Sequence, residues 1–242
     1  MSKIMRYLLS KLSRKLQSIL AVIYFNHQRK NKKLNSNEVE HSQLNKWIKE
    51  GDNVIDIGSN IGRYTFKIAD IVGQNGHVYS IEPLPGSFFI LSCLSFLGNF
   101  KNITLMNIVI GKDENIVNFE EDWTEPHRLN KNSEDKKIPY LFNTNTESKI
   151  TKQKNEFSVR RYQTSIDNLK ISEKINFIKI DVEGNELDVL EGSKEIIARD
   201  KPTILIELLN NEKAANLNNY FARLGYKTQI LDKQSPNIIY YQ

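Results

Sequence analysis

One cysteine, Cys93, occurs in the 242 residues. No internal disulfide can form, so a small secreted scaffold held by cross-links is excluded and a reducing compartment is expected. Long apolar runs are also missing. The longest, residues 19–25 (I-L-A-V-I-Y-F), has seven residues, where a membrane-spanning helix needs ~20. It is minimal for a secretory leader, and no small-residue cleavage site follows it. Acidic residues are absent from residues 1–37, which hold nine basic ones. The remaining 205 residues hold 25 basic and 29 acidic side chains, a net of −4, within a chain of net charge +5. The basicity therefore belongs to an N-terminal arm. The body is mildly acidic and gives no footprint for nucleic acid.

The arm spaces Ile4, Tyr7, Leu8, Leu12, Leu16, Ile19, Leu20 and Ile23 by threes and fours, which places an apolar stripe on a helix. Such a helix either docks on the domain or a partner subunit, or lies on an anionic membrane surface. The second reading makes the protein cytoplasmic with a peripheral contact through residues 1–33. Residues 26–37, rich in Asn and Lys, read as a solvated linker, so the expected organisation is arm and linker to residue 37 and one domain over 38–242. Residues 38–50 read as a short amphipathic helix.

The body alternates. Residues 53–57 read as a buried strand, 77–81 as a second and 103–110 as a third, with helices over 64–72 and 84–97 between them. Residues 118–163 break the pattern and read as an insertion over the site. The strand 175–180 follows, then a helix over 186–198, a strand over 203–208, a helix over 212–224 capped by Gly225, and a closing β pair over 226–231 and 237–241. This order predicts an α/β fold: a doubly wound, Rossmann-like sheet, mostly parallel, with an antiparallel terminal strand.

Ligands in such sheets bind beyond the carboxyl ends of the strands. The first strand runs into Gly58-Ser59-Asn60-Ile61-Gly62, preceded by Asp56. Glu82 ends the second strand, 20 residues after Gly62. A carboxylate there accepts from both hydroxyls of an unphosphorylated ribose, which suits NAD and S-adenosylmethionine alike. A pyrophosphate wants G-x-G-x-x-G. Position 60 is Asn, and the acid Asp56 near the turn repels phosphate and suits a cationic amino acid moiety. S-adenosylmethionine is favoured over the alternative, an NAD-dependent dehydrogenase or epimerase. A nucleic-acid methyltransferase using the basic arm is the other alternative. Amino-group methylation of bases usually shows Asn/Asp-Pro-Pro-aromatic after the fourth strand; here the segment is Asp181-Val182-Glu183-Gly184.

The blocks at residues 54–65 (V-I-D-I-G-S-N-I-G-R-Y-T), 78–83 (V-Y-S-I-E-P), 164–169 (T-S-I-D-N-L), 177–192 (F-I-K-I-D-V-E-G-N-E-L-D-V-L-E-G) and 202–208 (P-T-I-L-I-E-L) together resemble the FkbM family of S-adenosylmethionine-dependent methyltransferases. The resemblance implies a class I methyltransferase fold and O-methylation of sugar or polyketide-type hydroxyls. It assigns Asp56, Gly58, Asn60 and Gly62, with Ser59 between them, to the methionine-side loop and Glu82 to the ribose. Family members tend to carry Gly-Asp after the third strand. Here it reads Gly111-Lys112-Asp113, and Asp113 is the cofactor-side candidate at that edge.

Methyl transfer needs alignment of nucleophile, methyl and sulfur, and a lowered cost of deprotonating the acceptor. Glu183 is the first candidate base, with Asp181 as a catalytic or cofactor-side group. If a divalent metal is used, Asp181, Glu183 and Glu207 would gather it. On the insertion, His127 could reach the acceptor, and Arg128, Arg160 and Arg161 could clamp an anionic group on it. The acceptor is expected to be a glycan or related small molecule.

Overall fold

The computed structural model describes residues 12–120, 149–151, 158–182, 184–207, 211–231 and 237–242. Helix α1 (Arg14–Lys30) is followed by a short α2 (Val39–Ser42), a 3-10 turn, and strand β1 (Asn53–Ile57). Then come α3 (Arg63–Val72), β2 (His77–Ile81), α4 (Pro85–Gly98), β3 (Ile103–Met106), β4 (Val109–Ile110), β5 (Asn115–Glu120), β6 (Lys149–Thr151) and β7 (Ser158–Thr164). The second half holds β8 (Phe177–Ile180), α5 (Glu186–Glu191), α6 (Lys194–Asp200), β9 (Thr203–Glu207), α7 (Asn211–Arg223), β10 (Lys227–Ile230) and β11 (Asn237–Tyr241).

Seven strands form the main sheet in the order β10-β11-β9-β8-β1-β2-β3. The pairs β9-β8, β8-β1, β1-β2 and β2-β3 are parallel, while β11 runs antiparallel to both β9 and β10. The chain reverses direction of travel at β1, which places the switch point, and hence the crevice, at the carboxyl ends of β1, β2 and β8. The expected doubly wound sheet and its antiparallel closing strand are both present. Continuous apolar strands such as β8, with all four residues buried, follow from helices covering both faces. One face carries Ile55, Ile57, Ile178, Ile180, Ile204 and Ile206 in the largest core; the other carries Val54, Val78, Phe177 and Leu205.

A second sheet, β4-β7-β5-β6, stands where the sequence suggested the end of strand three and an irregular insertion. The predicted strand over 103–110 is cut at residue 107. Asn107 spends its side-chain amide on the carbonyls of Glu82 (2.7 Å) and Pro83 (3.1 Å), and β4 leaves to pair in parallel with β7.

Two further differences have clear causes. The helix predicted over 186–198 is two helices that meet at Gly192 and Ser193, where the chain passes so close to Gly111 that a Cβ at residue 192 would lie 2.1 Å from its carbonyl oxygen. The predicted linker is largely ordered: α1 continues to Lys30, and Leu34 is buried beside Ala21 and Phe25 against Ile61, Phe66, Ile90, Leu91 and Leu94. The packed face of α1 is thus Gln17, Ala21 and Phe25, while Leu16, Ile19 and Ile23 of the apolar stripe are exposed.

Candidate active site

The turn after β1 is built by close backbone approach. Gly58 has φ +80°, and a Cβ there would sit 1.8 Å from the Asp181 carbonyl oxygen at the end of β8. Gly62 has φ +93° and lies against Phe66 and Leu91, where a Cβ would approach to 2.5 and 2.7 Å. Only glycine fits either place. Between them Asn60 takes the left-handed conformation at φ +50°, which asparagine tolerates better than most residues. The Gly58 and Ser59 amides donate to the Ile81 carbonyl at 2.9 and 3.0 Å, which pins the turn to β2.

Glu82 ties this turn to the next one. Its Oε2 accepts from the Asn60 amide at 2.7 Å and its Oε1 from the Leu84 amide at 2.8 Å. Each oxygen keeps a lone pair, the arrangement needed to accept from two ribose hydroxyls. Burial raises the Glu82 carboxyl to about 7, against the two amide bonds, which lower it.

Asp56 is placed differently from the expectation of a ligand-facing acid. It is fully buried beneath the turn. Thr65 Oγ1 donates to its Oδ2 at 2.6 Å, and its Oδ1 is buried without a hydrogen-bond partner. Direct contact with a cofactor is closed to that side chain, so Asp56 acts by holding the turn and by its charge. Burial raises its carboxyl, which Lys179 and the Thr65 bond oppose. Ser59 serves the same scaffold: its hydroxyl donates to the Asp56 carbonyl at 2.8 Å and accepts from Ser80 Oγ at 2.8 Å and from the Ile81 amide at 3.1 Å.

Opposite the turn stand Asp181 and Glu207, at the ends of the paired strands β8 and β9. Lys179 Nζ donates to Asp181 Oδ2 at 2.8 Å and lies 4.6 Å from the Tyr64 ring centroid. Burial alone would lower the Lys179 ammonium; Asp181 and Asp56 beside it more than offset this and hold it above the ordinary lysine value. Glu207 shares a hydrogen bond with Asp181. Burial and the Asp181 charge push its carboxyl up to about 8. Among the described residues, no three His, Cys, Asp or Glu side chains are grouped to hold a metal ion. Glu183, the third member of the suggested set, lies outside the described residues.

The segment before β1 contributes a wall that the sequence did not suggest. Tyr64 OH donates to Glu38 Oε2. His41 is buried, donates from Nε2 to the Arg63 carbonyl at 3.1 Å, and meets the Tyr64 ring edge-on with centroids 4.8 Å apart. Glu40 is fully buried and accepts from Asn237 Nδ2 at 3.3 Å. Residue patterning signalled an amphipathic helix there and nothing more. Lys179 was also missed, although a lysine inside the apolar run F-I-K-I is a readable sign of a buried ion pair.

Of the remaining predicted residues, Asp113 is exposed in the turn between β4 and β5, and its carbonyl accepts from Gln163 Nε2. Arg160 and Arg161 are consecutive on β7, so they leave the strand on opposite faces and do not form one clamp. Arg161 Nε donates to the Pro83 carbonyl at 3.0 Å, beside Glu82, while Arg160 is exposed. His127 and Arg128 lie outside the described residues.

The sequence matches the Methyltransferase FkbM domain over residues 56–228. The chain belongs to the FkbM methyltransferase family. Among solved structures, an FkbM methyltransferase from Methylobacillus flagellatus superposes with a TM-score of 0.54 at 16% identity, covering 99% of this chain and 58% of that one. A methyltransferase from Geobacter sulfurreducens superposes at 0.50 with 12% identity, covering 100% and 96%. These likenesses carry the fold. A protein-L-isoaspartate O-methyltransferase from Methanococcus aeolicus is 47% identical over 38 residues, 16% of this chain and 18% of the relative. The chain thus spans less than two thirds of the length of the Methylobacillus flagellatus and Methanococcus aeolicus proteins.

The cofactor of an FkbM-family chain is S-adenosylmethionine, and the residues fit it. Glu82 would accept from the ribose hydroxyls with two oxygens already oriented by backbone amides. Asp181, partly exposed beside Gly58, would face a cationic methionyl group.

Proposed function

We propose that this FkbM-family chain is an S-adenosylmethionine-dependent O-methyltransferase whose acceptor is a hydroxyl of a sugar, glycan or related metabolite. The observation that carries the chemistry is the pair Asp181 and Glu207 at the ends of adjacent strands, with Lys179 held on Asp181. The cofactor supplies an electrophilic methyl group on a sulfonium. Glu207 takes the hydroxyl proton as the new O–CH3 bond forms and the S–CH3 bond breaks, leaving a neutral thioether. Lys179 donates to Asp181, while burial and the neighbouring Asp181 raise the Glu207 carboxyl, so Glu207 is the better proton acceptor of the two. Surplus negative charge around the site favours the sulfonium over the neutral product.

Glu183, next but one to Asp181 and the first candidate base read from the sequence, is the alternative base in this reading. Arg161, tied to the Pro83 carbonyl, stands between the second sheet and the Glu82 turn, which supports a role for the second sheet and the 118–163 segment in acceptor recognition. The finer reading of location is a peripheral contact with the cytoplasmic face of an anionic membrane through residues 1–33. No helix among the described residues is long and apolar enough to cross a membrane.

The test is transfer of labelled methyl from S-adenosylmethionine to glycan extracts by wild type, Glu207→Gln and Glu183→Gln. Glu207→Gln should lower kcat by about 10²–10⁴-fold, the usual worth of a positioned base, while leaving binding of S-adenosylhomocysteine intact. Full turnover by Glu207→Gln with loss in Glu183→Gln would move the base to Glu183. No transfer to any hydroxyl acceptor would reject the O-methylation reading.

A further inference from the structure

The apolar stripe read from the arm is not the face that packs on the domain. Helix α1 buries Gln17, Ala21 and Phe25, and exposes Leu16, Ile19 and Ile23, the last 61% exposed. Helix α4 does the same. It buries Ile90, Leu91 and Leu94 in the same cluster and exposes Phe89, Leu97 and Phe96, the last 85% exposed. The two helices run together, with Arg29 near the end of α1 lying over the ring of Phe100 just past α4, 5.6 Å from its centroid. One exposed phenylalanine would be ordinary, but Leu16, Ile19, Ile23, Phe89, Phe96 and Leu97 are all exposed on two helices that pack together, and a group of that size points to an interaction surface.

Charge on this surface is mostly basic, with Asp70 of α3 as the acid that interacts with Arg29 and Lys32. Neither helix contains an acid, α4 contains no charged residue at all, and Lys15, Arg29, Lys30, Lys32 and Lys33 flank the apolar side chains. The eleven residues ahead of the described chain add Lys3, Arg6 and Lys11, again without an acid. Exposed apolar and aromatic side chains bordered by lysine and arginine match an anionic lipid surface, where the apolar groups enter the interface and the bases meet headgroups. A second copy of the chain fits poorly. An isologous dimer on this face would bring Lys15, Lys30, Lys32 and Lys33 of both copies together against few acids, Asp70 among them.

We infer that α1 and α4 together form an anionic-membrane docking surface, with Phe96, Phe89 and Ile23 entering the interface and the lysines of residues 29–33 contacting headgroups. This extends the membrane reading from the arm to the catalytic domain itself, because α4 follows directly from the Glu82 turn. It is independent of the chemistry proposed above, since docking is read without turnover.

The test is co-sedimentation of the full chain with vesicles of phosphatidylcholine alone or with added phosphatidylglycerol. Wild type should partition onto the anionic vesicles and be released by salt. The double variant Ile23→Ser with Phe96→Ser should weaken partitioning at least about tenfold, as should Lys30→Glu with Lys33→Glu. Both should keep wild-type S-adenosylhomocysteine binding and thermal midpoint, because these side chains lie outside the packed core. Absence of wild type from the anionic vesicle pellet overturns the inference. So does a serine variant that partitions like wild type, which would leave α4 without a part. A wild-type dimer in sedimentation velocity that becomes monomeric in the serine variant would assign the face to a second copy instead.

Discussion

At the scale of single residues, the site rests on positions where nothing else fits. Gly58→Ala places a methyl 1.8 Å from the Asp181 carbonyl oxygen at φ +80°. The strand ends must part, so we expect a loss of well over 2 kcal/mol in urea unfolding and no measurable S-adenosylhomocysteine binding. Gly51→Ala is the control. That glycine also has a positive φ, +85°, but nothing lies within 4 Å of its added Cβ. Only backbone strain of about 1 kcal/mol should appear.

Glu82 gives a pH signature. Its carboxyl is raised to about 7 by burial, so the folded state keeps a proton that the unfolded chain has released. Its contribution to stability is greatest below the ordinary carboxylate range and is lost as pH rises toward about 7. Ribose hydroxyls donate to the ionised form. S-adenosylhomocysteine affinity should therefore climb as pH rises from 5 and level off above about 7, with proton release on binding measured by calorimetry in two buffers. A flat profile would show that Glu82 does not meet the ribose. Glu82, Gly58 and Gly62 were legible from the sequence because glycine turns and strand-end acids are local signals. Lys179, Glu38 and His41 were not, since each matters only through a partner brought from another strand or segment, as Lys179 is brought opposite Asp56 on β1.

At the scale of elements, the sequence reading held where periodicity decides and failed where a distant backbone intervenes. The run over residues 186–198 has an unbroken helical pattern, yet Gly192 meets Gly111 and the helix stops. The second helix, α6, then needs its own N-terminal partners. Asp167, from the T-S-I-D-N-L block, supplies them: its Oδ2 accepts from the Glu195 amide at 2.9 Å and its Oδ1 from the Ile196 amide at 3.0 Å. Asp167→Ala should cost about 1–2 kcal/mol in urea unfolding, whereas Asp167→Asn should retain part of that. Equal stability of all three proteins would show that α6 does not depend on this cap. The second sheet was hidden for a related reason. Residue 109 pairs with residue 163, and nothing in the local pattern of either segment announces the other.

At the scale of the whole molecule, charge is sorted by surface. A basic, apolar-faced pair of helices occupies one region. The carboxyl edge of the sheet gathers Asp56, Glu82, Asp181 and Glu207 near the buried Lys179. That surplus of acids is costly in an interior and becomes favourable once a cationic ligand arrives. On the proposed reading, the order of strands, the Gly58 turn and the Glu82 carboxylate all serve a single event, capture of a sulfonium nucleoside. Calorimetric titration of the full chain with S-adenosylhomocysteine and NAD, comparing wild type with Glu82→Ala, tests this most directly. The account predicts one S-adenosylhomocysteine site per chain, at least about tenfold weaker in Glu82→Ala, and no heat with NAD. Saturable NAD binding by a folded protein that ignores S-adenosylhomocysteine would contradict it.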